Sequence, residues 1–305
     1  MRQDLWFDSC GAGKIHACRW TPEGEIKAVV QIIHGIAEFV ERYDAFARYL
    51  NGLGFLVVAE DHMGHGQSIN GNGIQGYFHG GWDAAVEDTC RLMQDTMAEY
   101  PGVPYVLFGH SMGSFMARTI LCRYPDSGIA AAVICGSGWQ PTAAMPSIIK
   151  LMETVCKKVG ETNPSEKLQK LIFGGYNNRV EHQRTAFDWL SRDNKTVDDY
   201  IAHPLCGFTA SCGLLRDMMK GIYYIQQKQN LQNMRKDLPV FFIAGGEDPV
   251  GSYGKGIHSC VEAFQKAGMT DVDVRIYPLC RHEILNEINK EEIFEDVAQW
   301  LETKL

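Results

Sequence analysis

The sequence lacks an excess of positive charge. Lys and Arg number 29 against 37 Asp and Glu, which gives a formal net charge of −8 and an isoelectric point near 5.7. The basic residues are also scattered along the chain. Because proteins that bind nucleic acids need a concentrated positive surface, we expect no nucleic-acid partner.

Long hydrophobic runs are missing as well. No stretch approaches the roughly 18 consecutive apolar residues of a membrane span. The N-terminal residues 1–8 contain an acid, Asp4, and none of the long apolar run that a signal peptide requires. These features predict a cytoplasmic protein.

The ten cysteines include no Cys-x-x-Cys pair. They are spread from Cys10 to Cys280, and residues such as Cys122 and Cys135 fall in apolar segments, where a thiol behaves as a small hydrophobe. We therefore expect reduced thiols and no structural zinc. With 305 residues and 45% hydrophobic composition, the chain is long enough for one large domain with an insertion or for two domains.

Alternating strand and helix patterns make up most of the chain. Apolar, β-branched runs predict buried parallel strands at 28–33, 55–59, 105–108, 129–135, 240–244 and 272–277. Helical patterns lie at 39–50, 82–100, 112–123, 254–267 and 291–301. This alternation predicts an α/β fold with a mostly parallel central sheet flanked by helices. Segments 5–9 and 14–20 flank a Gly-rich turn and predict an antiparallel hairpin at one edge.

The alternation stops between residues 139 and 236. This segment has helical patterns at 147–158, 165–173, 182–191 and 214–227, and no convincing strand. We interpret 139–236 as a helical cap insertion, with the two parts of the core at 1–138 and 237–305. Open α/β sheets bind ligands at the carboxyl ends of their strands, which is where a cap would lie.

The pentapeptide 109–113, GHSMG, follows a predicted strand and precedes a predicted helix. A Gly-x-Ser-x-Gly match alone is weak evidence, but a strand-turn-helix context is what a nucleophilic serine needs. Gly109 and Gly113 would leave room for a strained turn that projects Ser111. The sequence therefore predicts Ser111 as a nucleophile.

A nucleophilic serine needs a histidine base and a carboxylate further along the chain. Asp248 and His282 each follow a predicted strand, so both should lie at the same edge of the sheet. His282 would accept the Ser111 proton, and Asp248 would orient its ring. Glu247 is the alternative acid, and an Asp-Pro turn is an alternative explanation for Asp248.

The oxyanion hole should use backbone N–H groups from Met112 and from Ile36, in the loop after the first parallel strand. Gly35 would let this loop approach the substrate. Glu38 and Glu283 either steady the adjacent loops or are ordinary loop carboxylates.

His34, His62 and His65 lack carboxylate or cysteine neighbours at metal-ligand spacing, so we expect no metal site. Cys280 lies two residues before His282, but a cysteine at a strand end is usually a packing residue. We therefore expect a serine nucleophile and not a thiol. In the insertion, Trp189 and Phe208 are candidates for the pocket wall.

Five segments carry a family resemblance: HGIAEFVERY (34–43), DHMGHGQS (61–68), GHSMG (109–113), GGEDPVG (245–251) and RHEILNE (281–287). Together they resemble the monoacylglycerol lipase and lysophospholipase-like branch of the α/β-hydrolases. The resemblance spans almost the whole chain and implies the α/β-hydrolase fold. It also implies a Ser111, Asp248 and His282 triad and oxyanion donors at Ile36 and Met112. Phe39 departs from the lipase members, which often have His there.

These observations predict a serine hydrolase that cleaves carboxylic esters bearing an acyl chain through an acyl-enzyme. We expect no cofactor, and transient contact with lipid surfaces is compatible with such substrates. Gly35, Glu38, Trp189 and Phe208 are the candidate substrate-binding residues. An amidase or peptidase of the same fold and a non-catalytic ligand-binding homologue are the alternatives. The sequence sets neither the acyl-chain length, the head group nor the oligomeric state.

Overall fold

The computed structural model describes residues 1–71 and 73–305. Its centre is an eight-stranded sheet. The strands are β1 (Arg2–Asp8), β2 (Lys14–Trp20), β3 (Ala28–Ile33), β4 (Phe55–Glu60), β5 (Tyr105–His110), β6 (Ile129–Cys135), β7 (Val240–Gly245) and β8 (Val272–Tyr277). Strands β3 to β7 are buried along almost their whole length, as expected for runs of apolar residues in a parallel sheet.

The strand order is β1-β2-β4-β3-β5-β6-β7-β8. Strands β3 to β8 pair in parallel, whereas β2 pairs antiparallel with both β1 and β4. The mostly parallel sheet predicted from the sequence is confirmed, and the predicted hairpin lies at its edge.

The helices are α1 (Asp44–Gly52), α2 (Gly81–Glu99), α3 (Met112–Arg123), α4 (Met145–Val159), α5 (Glu166–Phe173), α6 (Asn194–Ala202), α7 (Cys212–Ile225), α8 (Lys228–Asn233), α9 (Lys255–Lys266) and α10 (Lys290–Lys304). Because successive strand side chains point to opposite faces, Val30 packs beneath α1 and α10, whereas Val29 packs towards α2, α3 and α9. Helices therefore cover both faces of the sheet.

The segment 139–236 leaves the sheet after β6 and returns to it at β7, and it contains α4 to α8. Helix α7 packs on α2, α3 and α4, which attaches the segment to the helical layer of the core. We call this segment the helical insertion.

The predicted helix at 182–191 is wrong, because this stretch is a series of turns. The Asp188 carboxylate accepts hydrogen bonds from the backbone N–H groups of Arg184 and Thr185. Such side-chain bonds compete with the backbone bonds of a helix. Helix α6 was not predicted, although Asp193 caps its first turn by accepting from the Lys195 N–H.

No helix among residues 1–71 and 73–305 is long and apolar enough to cross a membrane.

Candidate active site

Ser111 occupies a tight turn between β5 and α3. Its backbone φ is +53°, which a non-glycine residue rarely adopts. Hydrogen bonds hold the turn from both sides: the Ser111 N–H donates to the Cys135 carbonyl at 3.0 Å, and the Ser111 carbonyl accepts from the Ser114 N–H at 2.9 Å. A Cβ at Gly113 would lie 1.9 Å from the Ile33 carbonyl oxygen, so only glycine fits there. The fold therefore imposes this strained geometry on the serine.

Asp248 and His282 form a buried pair at the carboxyl ends of β7 and β8. The His282 Nδ1 atom lies 3.0 Å from the Asp248 Oδ2 atom. The second carboxylate oxygen of Asp248 accepts the Val250 N–H at 2.8 Å, and both members of the pair are at most 2% exposed. The bond at Nδ1 leaves Nε2 as the nitrogen available to a reacting group. Glu247, the alternative acid, is exposed, and the structure gives it no bond to His282.

Two backbone N–H groups beside Ser111 are without a protein acceptor. Within residues 1–71 and 73–305, neither the Ile36 N–H nor the Met112 N–H donates to another group. Met112 is the first residue of α3, where the helix itself supplies no acceptor. Its side chain is buried in the core, whereas Ile36 lines the cavity described below.

The Ile36 loop is held by Glu38. One carboxylate oxygen of Glu38 accepts the Gly35 N–H at 2.6 Å and the Tyr43 hydroxyl at 2.8 Å. The same oxygen lies 3.2 Å from His110 Nδ1. A Cβ at Gly35 would lie 2.6 Å from this oxygen and 3.1 Å from the Ser111 Cβ. Glycine thus lets the loop approach the serine closely.

A buried ion pair extends this network. Arg42 donates to Glu38 at 2.8 Å and to both oxygens of Glu283 at 2.6 and 2.5 Å. Burial works to raise the pKa of Glu38, but the hydrogen bond with His110 and the charge of Arg42 outweigh burial and hold this pKa well below its usual value. The loops that carry Gly35 and His282 are therefore joined through a charged Glu38. Sequence reasoning missed Arg42, Tyr43 and His110, because the contacts that join them into one network, Arg42 with Glu283 and His110 with Tyr43 and Glu38, link distant parts of the sequence.

The helical insertion contacts the His282 loop directly. The His282 N–H donates to the Trp189 carbonyl at 3.3 Å, and the Glu283 N–H donates to the Leu190 carbonyl at 2.8 Å. The Trp189 ring lies 5.1 Å from the His282 ring between centroids. The turns at 187–190, which were predicted to be helical, thus hold the loop of the candidate base.

A cavity of about 560 Å³ lies between the sheet and the helical insertion. Ser111 and His282 line it together with all four candidate substrate-binding residues, Gly35, Glu38, Trp189 and Phe208. Further apolar walls come from Phe173, Phe187 and Val250, which the sequence did not single out. The size is typical of a pocket for a small organic ligand.

The cavity lining also contains polar side chains. They belong to Gln169, Lys170, Asn178 and Gln183 of the insertion. Among the described residues, the Gln169 Oε1 atom is buried without a hydrogen-bond donor. A buried acceptor without a partner is costly, at about 1 to 3 kcal/mol, so a ligand hydroxyl would be favoured there.

The three loop histidines bond to the backbone or to each other, and His62 Nδ1 also lies 3.3 Å from the Glu60 carboxylate, a neighbour that the sequence did not predict. The His62 N–H donates to His34 Nε2 at 3.1 Å, and His65 Nδ1 lies 3.1 Å from the Met63 carbonyl oxygen. Burial is the main cause that lowers the pKa of His65 to about 4. Cys280 is buried against Asn289 and Arg192, and burial raises its thiol pKa.

Known proteins resemble the chain over its whole length. It is 26% identical to a monoacylglycerol lipase of Mycolicibacterium smegmatis over 307 residues, which cover 100% of this chain and 98% of the relative. It is 28% identical to the human monoglyceride lipase, covering 98% and 90% of the two chains. The crystal structure of a carboxyl esterase from Bacillus coagulans in complex with glycerol superposes with a TM-score of 0.92 at 27% identity, covering 99% and 98%.

The family model described as serine aminopeptidase S33 matches residues 24–289, which include strands β3 to β8 and the whole helical insertion. The matched span also contains Ser111, Asp248 and His282. The chain therefore belongs to this α/β-hydrolase family.

Proposed function

We propose that the chain is a serine hydrolase that cleaves carboxylic esters through an acyl-enzyme on Ser111. One observation carries the proposal: the buried Asp248–His282 pair and the strained Ser111 turn line or adjoin a single cavity. The ester-cleaving relatives of similar fold support the same chemistry.

In this mechanism His282 Nε2 takes the proton of Ser111 Oγ as the oxygen attacks the ester carbonyl carbon. Asp248 accepts the bond from Nδ1 and stabilises the positive ring that forms. The tetrahedral intermediate collapses, and His282 gives its proton to the departing alkoxide. Water then attacks the acyl-enzyme with His282 again as base, which releases the acid and restores Ser111.

The negative oxygen of each intermediate would bind the free N–H groups of Ile36 and Met112. The amino end of α3 favours negative charge at the same position. Glu38 is a positioning residue, since its oxygens already accept from Gly35, Tyr43 and Arg42 and it does not need to touch the substrate.

The substrate we favour is a monoacylglycerol or a related ester with one acyl chain and a polar head. The cavity lining offers aromatic side chains to the acyl chain and polar side chains, such as Gln169, to hydroxyl groups. The helical insertion would act as a cap that selects chain and head group, and contact with lipid surfaces would supply the substrate. The family's peptidase name suggests an amide substrate. The buried Glu38 and Glu283 are committed to Arg42, so of the carboxylates that line the cavity within the described residues only the exposed Glu166 would be left for a peptide amino group.

The test is a substrate panel on the full chain. It compares glyceryl monoesters, lysophospholipids and p-nitrophenyl esters of varied acyl length with matched p-nitroanilides, alongside labelling by a fluorophosphonate. We expect turnover of esters over anilides, best for glyceryl monoesters, with the label on Ser111.

Three results would contradict the proposal in different ways. Faster cleavage of the anilides would identify an amidase. Labelling without turnover of any ester would reject the substrate class. Folded protein with neither labelling nor turnover would indicate the non-catalytic ligand-binding homologue.

A further inference from the structure

Outside the cavity, one face of the β1–β2 hairpin brings an aspartate, a histidine and a cysteine together. Asp4 lies directly opposite Cys18 in the strand register, and His16 is two residues from Cys18 on the same strand. Side chains two apart on a strand share a face. One ligand atom from each of the three residues lies within 4.8 Å of the other two.

His16 is oriented by a carboxylate outside this group. Its Nδ1 lies 2.8 Å from Asp61 Oδ2, and its Nε2 faces Asp4 Oδ1 at 3.2 Å. Asp61 is itself fixed, because it accepts the N–H groups of Val40 and Gln67 at 2.9 Å each. Histidines that bind metals are usually held in this way, with a carboxylate on the nitrogen that does not ligate.

Cys18 completes a set of mixed ligands. Its Sγ lies 3.4 Å from Asp4 Oδ1 and 3.9 Å from His16 Nε2. The cysteine and the histidine are buried, whereas the Asp4 side chain is 57% exposed and opens the group to solvent. A cation could therefore enter from the Asp4 side and reach all three ligand atoms.

We propose that Asp4, His16 and Cys18 bind a divalent cation of the zinc type, with Asp61 orienting His16. A set of one nitrogen, one sulfur and one oxygen suits zinc or cobalt and disfavours magnesium or calcium, which prefer oxygen ligands. Three protein ligands leave a fourth tetrahedral position for water. Binding displaces the Cys18 thiol proton, because the thiolate is the ligand.

Arg2 is the competitor for this site. Its guanidinium lies 3.2 Å from Asp4 Oδ1 and also contacts Glu41. A cation that binds the Asp4 carboxylate must share it with Arg2 or displace the Arg2 guanidinium from it. Glu41 would remain as a partner for the displaced guanidinium. Removal of the Arg2 charge should therefore strengthen metal binding, whereas removal of a ligand should weaken it.

The experiment is a cobalt titration of the reduced full chain, followed by the thiolate-to-cobalt absorption band and by displacement with zinc. We expect one equivalent of cobalt with a thiolate band that zinc abolishes. Cys18→Ser should remove the band, Asp4→Asn should weaken binding by at least about tenfold, and Arg2→Gln should tighten it. Cys10→Ser is the matched control, because Cys10 is the exposed cysteine of the same hairpin.

The proposal is overturned if no saturable binding occurs, if the band survives Cys18→Ser, or if Cys10→Ser removes it. Circular dichroism and thermal melting check that each variant folds. Asp4 and Arg2 are not buried, so we expect their variants to fold. The proposal can therefore still be tested with these two variants if Cys18→Ser destabilises the chain. No readout depends on hydrolysis, so this result and the test of the proposed function are independent.

Discussion

The two sides of the cavity are held in different ways. On the side of the sheet, Asp248, His282 and Glu38 are at most 3% exposed and bond to fixed partners of the core. On the side of the insertion, Gln169 of α5 lines the cavity with an acceptor that has no donor among the described residues. In the proposed function, the sheet side carries out the reaction and the insertion side selects among ligands.

The largest expected effect tests whether Ser111 is the reacting group. Ser111→Ala should lower kcat by about 10⁶, since loss of the nucleophile removes the covalent path. Steady-state ester hydrolysis with thermal melting measures both activity and folding. Ser147→Ala is the control, because Ser147 is exposed on α4 and outside the cavity lining. Activity retained in Ser111→Ala would assign the nucleophile to another residue.

The second largest effect is expected at the carboxylate that pairs with His282. Asp248→Asn should lower kcat by about 10⁴, because the amide favours the wrong ring tautomer. Glu247→Gln should leave kcat within about twofold, since Glu247 is exposed. The reverse ranking of these two variants would make Glu247 the triad acid.

A smaller effect is expected at Glu38, which belongs to the sheet side without touching the reaction. Glu38→Gln should lower the free energy of unfolding by about 1 to 3 kcal/mol at pH 7 and kcat/KM by about tenfold. Because the folded pKa of Glu38 is depressed, its stabilisation is complete above the usual pKa of 4.5 and is lost as pH falls from there through the folded value.

Denaturant melts of both proteins between pH 3 and 7 measure this difference. The two stability curves should run parallel above pH 4.5, at their full separation, and approach each other as pH falls below 4.5. A constant difference across the range would show that the charge of Glu38 is not what stabilises the loop.

The smallest effect belongs to the insertion side. We compare kcat/KM for the glyceryl ester and the methyl ester of the same acid. Gln169→Leu should lower the preference for the glyceryl ester by about tenfold, because the variant loses one hydrogen bond to the head group. Lys167→Leu, on the same helix but outside the cavity lining, is the control. An unchanged ratio would remove Gln169 from head-group selection.

The sequence predicted the sheet well because strands buried on both faces are uninterrupted apolar runs. The runs at 28–33 and 129–135 match their strands to the residue. The run at 272–277 also has the bounds of β8, but the prediction that it is buried is wrong, because β8 is an edge strand and only Tyr277 of it is buried. The positions of Asp248 and His282 followed from strand ends, which parallel topology brings to one edge.

Contacts between distant residues could not be predicted in the same way. The Arg42–Glu283 pair joins positions 241 residues apart, and no local sequence pattern predicts it. The turns at 182–191 have helical periodicity in sequence. Their backbone N–H groups instead donate hydrogen bonds to the side chains of Asp188 and Asn177. Helix α6 had a signal that was overlooked: Asp193 at its cap and buried Val197 and Tyr200 at helical spacing.

The backbone bonds from His282 to Trp189 and from Glu283 to Leu190 constrain how this chain can be re-engineered. A graft of another family member's insertion would replace the two carbonyls that support the candidate base. Chimeras that keep residues 187–190 from this chain should exchange specificity at little cost in rate, whereas complete exchanges should lose rate for every substrate. Under the proposed function, the segment that selects a substrate would therefore not be separable from the residues that react with it.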